Sequence, residues 1–340
     1  MRFSDVEAFR PERSGRFFSA THEEILRGLV ADIYFVKTMT ALAATGLSRT
    51  PVVGEVFASR PGYLAGVEEV LHLLEGRGVE VWSLEEGEPF GAKEVVMRLV
   101  GPYEAFGIHE TALLGILASS SAWMTAARQV KEAAGEAPVI CFGSRHIHPA
   151  VAPVMERAAL LAGLDGASNI LGAKLFGMEP SGTIPHAFIL IVGDTVEAAR
   201  IYDQSLPKGE GRTVLVDTFK DEAEEALRVA ASLQDRLAGV RLDTPSERGG
   251  VTPDLVREVR ARLDQAGFSH VKIFVSGGVT PEKIPLLKAA GAYGFGVGSY
   301  ISGAAPIDMT LDLKEIAGRP VAKRGRIPGR TPTQRLKRKA

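Results

Sequence analysis

The stretch VKIFVSGGVTPEKIPLLKAAGAYGFGVG, residues 271–298, decides the fold. VKIFVS is apolar and β-rich, PEKIPLLKAAG is helical in character, and AYGFGVG is a second apolar strand. Two strands that follow one another across a helix run parallel. Read towards the N-terminus, the same unit recurs. GVRLD (239–243) precedes PDLVREVRARLDQAG, TVLVD (213–217) precedes KDEAEEALRVAASLQDRL, and VICFG (139–143) precedes a helix beginning near Pro149. GASNI (166–170) and PSGTI (180–184) add two short strand candidates. Together these predict an irregular α/β barrel of about seven units over residues 104–305, fewer than the eight of a complete barrel.

Upstream, residues 1–103 read as a smaller mixed α/β sandwich domain. Thr21 and Glu24 form a capping box, and Asp32 is a candidate cap for IYFVKTMTALAATG. PVVGEVFA (51–58), VEVWSL (79–84) and KEVVMRLVG (93–101) read as strands, and LAGVEEVLHLLEG (64–76) as an amphipathic helix. A long helix covers 104–134. Residues 306–326 alternate again and are expected to return antiparallel to the first domain. Residues 327–340 are basic, without an acid, and read as a solvated tail; RNA contact is the sharper alternative.

Bulk properties exclude several classes. With 40 Lys+Arg against 41 Asp+Glu the net charge is −1, so no global field argues for nucleic acid or an anionic membrane. No apolar run approaches the roughly 20 residues that span a bilayer, and the N-terminus lacks a signal-peptide core, so a cytoplasmic location is expected. The one cysteine, Cys141, cannot build a disulfide or a multi-cysteine zinc site within one chain, so no zinc is expected.

In a parallel α/β barrel the loops after the strands build the active site. Those positions hold Gly143 to His146, Thr183 to His186, Asp217, Arg241 with Asp243, Ser276-Gly277-Gly278, and Gly296-Val297-Gly298-Ser299. Two adjacent glycine-rich loops make a phosphate cup, since backbone N–H groups can approach an anion there; singly, each could be a tight turn. Asp217 and Asp243 could hold ribose hydroxyls or Mg2+, or cap the helices that follow. Arg241 inside a strand needs a partner, whether Asp243, a substrate carboxylate, or both. His186 beside an apolar run is either a satisfied structural residue or a nucleophile for a phosphoryl group.

This ordered set resembles the nicotinate phosphoribosyltransferases of the type II phosphoribosyltransferase fold. The residues that carry the resemblance are ADIYFVKTMT (31–40), FGSRHIHP (142–149), GTIPHAF (182–188), VLVDTF (214–219), VRLD (240–243), VSGG (275–278) and GVGS (296–299). Residues 79–121 also resemble the sandwich domain and following helix of quinolinate phosphoribosyltransferases, which share the fold. The resemblance implies that Tyr34 stacks on nicotinate from a neighbouring subunit, making the protein a homodimer or larger homo-oligomer with shared sites. It implies that Thr183 and Arg241 hold nicotinate, and that Arg145 and His146 contact phosphoribosyl diphosphate. Asp217 and Asp243 then hold ribose or Mg2+, while Ser276, Gly277, Gly278, Gly296, Gly298 and Ser299 hold the 5′-phosphate. His186 takes the place of the histidine that ATP phosphorylates in ATP-coupled members, although Pro185-His186-Ala187 departs from their usual context. The cysteine knuckle of some microbial relatives is absent. Three alternatives remain: a decarboxylating quinolinate phosphoribosyltransferase, for which GSRHIHPA offers few cations, a non-catalytic mononucleotide-binding barrel, and nicotinamide as the substrate, on whose neutral amide Arg241 would be wasted except as a donor to the amide oxygen.

Overall fold

The computed structural model describes residues 1–12, 14–207 and 211–340. They form two compact units, Ala126–Ala304 and Met1–Thr125 with Ala305–Ala340. The division falls inside helix Glu110–Ala134, rather than at the expected boundary near residue 103.

The contiguous unit is built on six strands: β1 (Val139–Cys141), β2 (Gly166–Ala167), β3 (Arg212–Leu215), β4 (Leu237–Leu242), β5 (Lys272–Val275) and β6 (Gly294–Val297). All pair parallel in the order β2-β1-β6-β5-β4-β3, with β2 and β3 at the two edges. This is an open half-barrel of six strands, one fewer than the sequence suggests. PSGTI is irregular backbone, tied to β2 by a bond from Ser181 N–H to the Ala167 carbonyl at 2.8 Å. Its Gly182 and flanking prolines weaken any ladder.

The helices that accompany the sheet include α1 (Ala152–Leu161), α2 (Ile170–Leu175), α3 (His186–Val192), α4 (Thr195–Ser205), α5 (Glu222–Leu233), α6 (Pro253–Gln265) and α7 (Ile284–Ala289). Local chemistry starts several of them. Asn169, Asp194, Asp221 and Thr252 each accept backbone N–H groups of the first turn of α2, α4, α5 and α6. Helices α4 to α7 pack in succession, each on the next. Strand residues Val240, Leu242, Ile273, Val275, Phe295 and Val297 are fully buried. Alternation then puts Arg241 and Phe274, which are register partners, on the other face.

The other unit carries an antiparallel sheet in the order 319–320, 309–316, 51–58, 95–102, 80–83, 337–338. The expected return of the C-terminal segment is therefore present. The basic tail is not free: Lys337 and Arg338 pair with Ser83 and Trp82, and Leu336 is buried. Its cations meet acids distant in sequence, Arg335 on Glu94, Lys337 and Lys339 on Glu85, and Arg338 on Glu80. Thr331 N–H and Oγ1 donate to the buried Glu55 carboxylate at 3.0 and 2.6 Å. The Thr21–Glu24 capping box forms as expected, whereas the Asp32 side chain accepts from Thr111 Oγ1 instead of capping its helix. Among the described residues no helix is long and apolar enough to cross a membrane.

Candidate active site

Arg241 organises the strand ends. It leaves β4 next to β5, and its guanidinium donates from Nε to Ser276 Oγ at 2.8 Å, from Nη1 to Thr183 Oγ1 at 2.7 Å and from Nη2 to Asp243 Oδ2 at 2.8 Å. Ser276 Oγ in turn donates to Asp243 Oδ1 at 2.8 Å, closing a ring of three side chains. The Phe142 ring lies 5.3 Å from the Arg241 guanidinium carbon, in cation–π range. Three of five guanidinium N–H groups are used, so two remain for a ligand.

His186 is the first residue of α3. Its Nδ1 lies 3.0 Å from Thr218 Oγ1, and its Nε2 lies 3.7 Å from both Asp217 Oδ2 and Asp243 Oδ2. The Asp217 side chain is 1% exposed, and among the described residues no other residue donates a hydrogen bond to its oxygens. Burial pushes its carboxyl up to about 6, assisted by Asp243 and opposed by His186. Two carboxylates facing one imidazole suit a hard cation that takes its other oxygens from substrate and water. No group of three His, Cys, Asp or Glu among the described residues has the arrangement of a self-sufficient metal site.

The two glycine-rich loops are neighbours because β5 and β6 pair. Gly277 and Gly278 adopt φ of +80° and +63°, which side chains rarely tolerate, and a Cβ on Gly277 would meet Asp243 Oδ1 at 3.0 Å. At the second loop, Gly298 lies under His146, and a Cβ there would meet His146 Cε1 at 2.8 Å. His146 Nδ1 and Ser302 Oγ are hydrogen-bonded at 3.1 Å, and burial together with Arg145 lowers the ring's proton affinity. Arg145 is exposed on a 3-10 turn, without an ion pair or hydrogen bond among the described residues. Ser299 opens a single helical turn after Gly298.

Two family models match the chain. The quinolinate phosphoribosyl transferase N-terminal domain matches residues 32–121, and its C-terminal domain matches residues 124–312. The chain belongs to the quinolinate phosphoribosyltransferase family. Within that family, the crystal structure of nicotinate-nucleotide pyrophosphorylase from Pyrococcus furiosus is 44% identical, with a TM-score of 0.89 over 93% of this chain and 82% of that one. A nicotinate phosphoribosyltransferase of Mycobacterium tuberculosis is 29% identical over 339 residues, 87% of this chain and 74% of that protein. A probable carboxylating nicotinate-nucleotide pyrophosphorylase of Methanothermobacter thermautotrophicus is 24% identical over 86% of this chain and 98% of that protein.

The half-barrel of this family member thus gathers Thr183, His186, Asp217, Arg241, Asp243 and Ser276 into one bonded or facing group, and sets the Gly277-Gly278 loop against it. Tyr34 is carried by the other unit, on helix Ile33–Ala44, and is 57% exposed. Gly296 lies inside β6, where a Cβ would meet the Phe142 ring at 2.3 Å, so it makes room for that ring. Sequence reasoning missed three contributors. Phe142 and Thr218 sit inside quoted motifs beside residues that drew attention instead. Glu156, fully buried in α1, accepts from Ser144 Oγ, Ser168 Oγ and Asn169 N–H and so joins the loops after β1 and β2. Nothing in the local pattern marks a buried helical glutamate.

Proposed function

We propose that the protein transfers the 5-phosphoribosyl group from phosphoribosyl diphosphate to nicotinate, giving nicotinate mononucleotide and diphosphate. The observation that carries this reading is Arg241: this cation, which β4 directs into the site, is already shared with Asp243. That balance suits a pyridine with one carboxylate, whereas quinolinate brings two. The Phe142 face beside the guanidinium suits the aromatic ring.

In this reading the pyridine nitrogen, unprotonated near neutral pH, attacks C1′ of the ribose. The N–C1′ bond forms as the C1′–O bond breaks, and diphosphate leaves with the electron pair. No general base is needed. Thr183 and Arg241 orient the ring, with the arginine braced by Ser276 Oγ, and Asp217 and Asp243 stabilise positive charge developing on the ribose. Asp217 and Asp243 are the residues that would hold Mg2+, which supplies charge to the leaving group when bound. His186, its Nδ1 held by Thr218, presents Nε2 as the acceptor for a phosphoryl group from ATP. Tyr34 would come from a second copy in a homodimer. Apolar side chains exposed on α2 and α3, notably Ile170, Leu171, Leu175, Leu190 and Ile191, supply a surface for that copy.

The names of the Pyrococcus and Methanothermobacter relatives favour a second reading, decarboxylating transfer to quinolinate. Incubation with Mg2+, phosphoribosyl diphosphate and either nicotinate or quinolinate, with and without ATP, separates them. Mononucleotide from nicotinate without CO2 release supports the proposal, and ADP release alongside supports the role of His186. Mononucleotide with CO2 from quinolinate alone overturns it. Tight mononucleotide binding without turnover would point to a binding protein.

A further inference from the structure

We propose that Lys283 is the cationic arm of the phosphate subsite at the Ser276–Gly278 loop. This inference rests on the phosphoribosyl reading above and names a side chain that reading does not use. The Lys283 ammonium donates to the Gly278 carbonyl at 3.0 Å and so lies on the loop whose two left-handed glycines bare the backbone. Its main chain is fixed. Lys283 N–H donates to Thr280 O at 3.0 Å, the residue caps α7, and the next residue, Ile284, is fully buried. Only the long side chain is free to move, and it is exposed.

Arg241 is committed to Asp243, whereas Lys283 and Arg145 meet no carboxylate among the described residues, and of these two Lys283 is the one bonded to the glycine loop, through the Gly278 carbonyl. The adjacent acid, Glu282, is engaged by the Thr280 hydroxyl and its own backbone. One N–H of the ammonium is used, and two remain for phosphate oxygens. A phosphate monoester carries about −1.5 to −2 charges at neutral pH, which backbone N–H groups alone do not balance.

Calorimetric titration with ribose 5-phosphate tests this on wild type, Lys283→Met and Lys283→Arg, beside steady-state kinetics. Loss of one charge-assisted bond should weaken ribose 5-phosphate binding and raise KM for phosphoribosyl diphosphate by roughly 10- to 100-fold. KM for nicotinate and the melting temperature should hold, and Lys283→Arg should recover most of the loss. Equal binding by wild type and Lys283→Met overturns the assignment. So does a loss shared equally by ribose 5-phosphate and nicotinate, which marks a loop clasp. If wild type itself binds neither phosphorylated sugar, the phosphoribosyl reading fails and the lysine's role falls with it.

Discussion

At Asp217 a side chain 1% exposed receives no hydrogen bond from another described residue, and burial pushes its carboxyl up to about 6. A carboxyl whose proton affinity is higher folded than unfolded loses stability as pH rises, here between about 4 and 6. At pH 7.5 the ionised form costs on the order of 3 kcal/mol. Asp217→Asn should therefore raise the melting temperature at pH 7.5, an advantage that shrinks towards pH 4, while lowering kcat by about 100-fold or more. Calorimetry at both pH values and initial rates check this. Arg241→Lys should be nearly as harmful as Arg241→Met, because an ammonium cannot reach Ser276, Thr183 and Asp243 together. The expected outcome is a nicotinate KM raised by about 100-fold or more in both variants. Residues at strand ends, Asp217, Arg241, Asp243 and Ser276, were legible because position along a parallel strand fixes where a side chain emerges. Phe142, Thr218 and Glu156 were not, since their contacts join segments 12 to 99 positions apart.

Among the elements, the strands at 213–217, 239–243 and 271–276 could be read from apolar runs followed by capped helices. HAFILIV could not, because six apolar residues in a row satisfy a buried strand and a short helix alike. It forms α3, with Ile189 buried and Ile191 85% exposed. The basic tail misled for a related reason: the acids that neutralise it lie more than 200 residues upstream. Its exposed ion pairs contribute little individually, and the backbone pairing with residues 80–83 and the Thr331–Glu55 bonds do most of the holding. Lys337→Gln with Lys339→Gln should shift the melting temperature by less than about 3 °C. Removing residues 331–340 should strip the partner from strand Glu80–Ser83 and cause concentration-dependent association, measured by light scattering.

For the molecule as a whole, the reading above requires two copies. Leu175 and Ile191 are 68% and 85% exposed, which is costly for a lone chain. Leu175→Asp with Ile191→Asp should yield monomers in sedimentation, together with loss of transferase activity. A monomeric wild type with full activity would remove the second copy from the mechanism.

The order in which the two units are encoded has a consequence for synthesis. The half-barrel unit is contiguous, whereas the antiparallel sheet takes strands from residues 51–102 and again from 309–338. As the chain emerges from the ribosome, strand Pro51–Ala58 must wait for its partner Met309–Ile316. At about 5–20 residues per second that delay lasts on the order of 10–50 s. The intervening unit can fold in that time, while a half-made sheet with open edges is what a chaperone would meet.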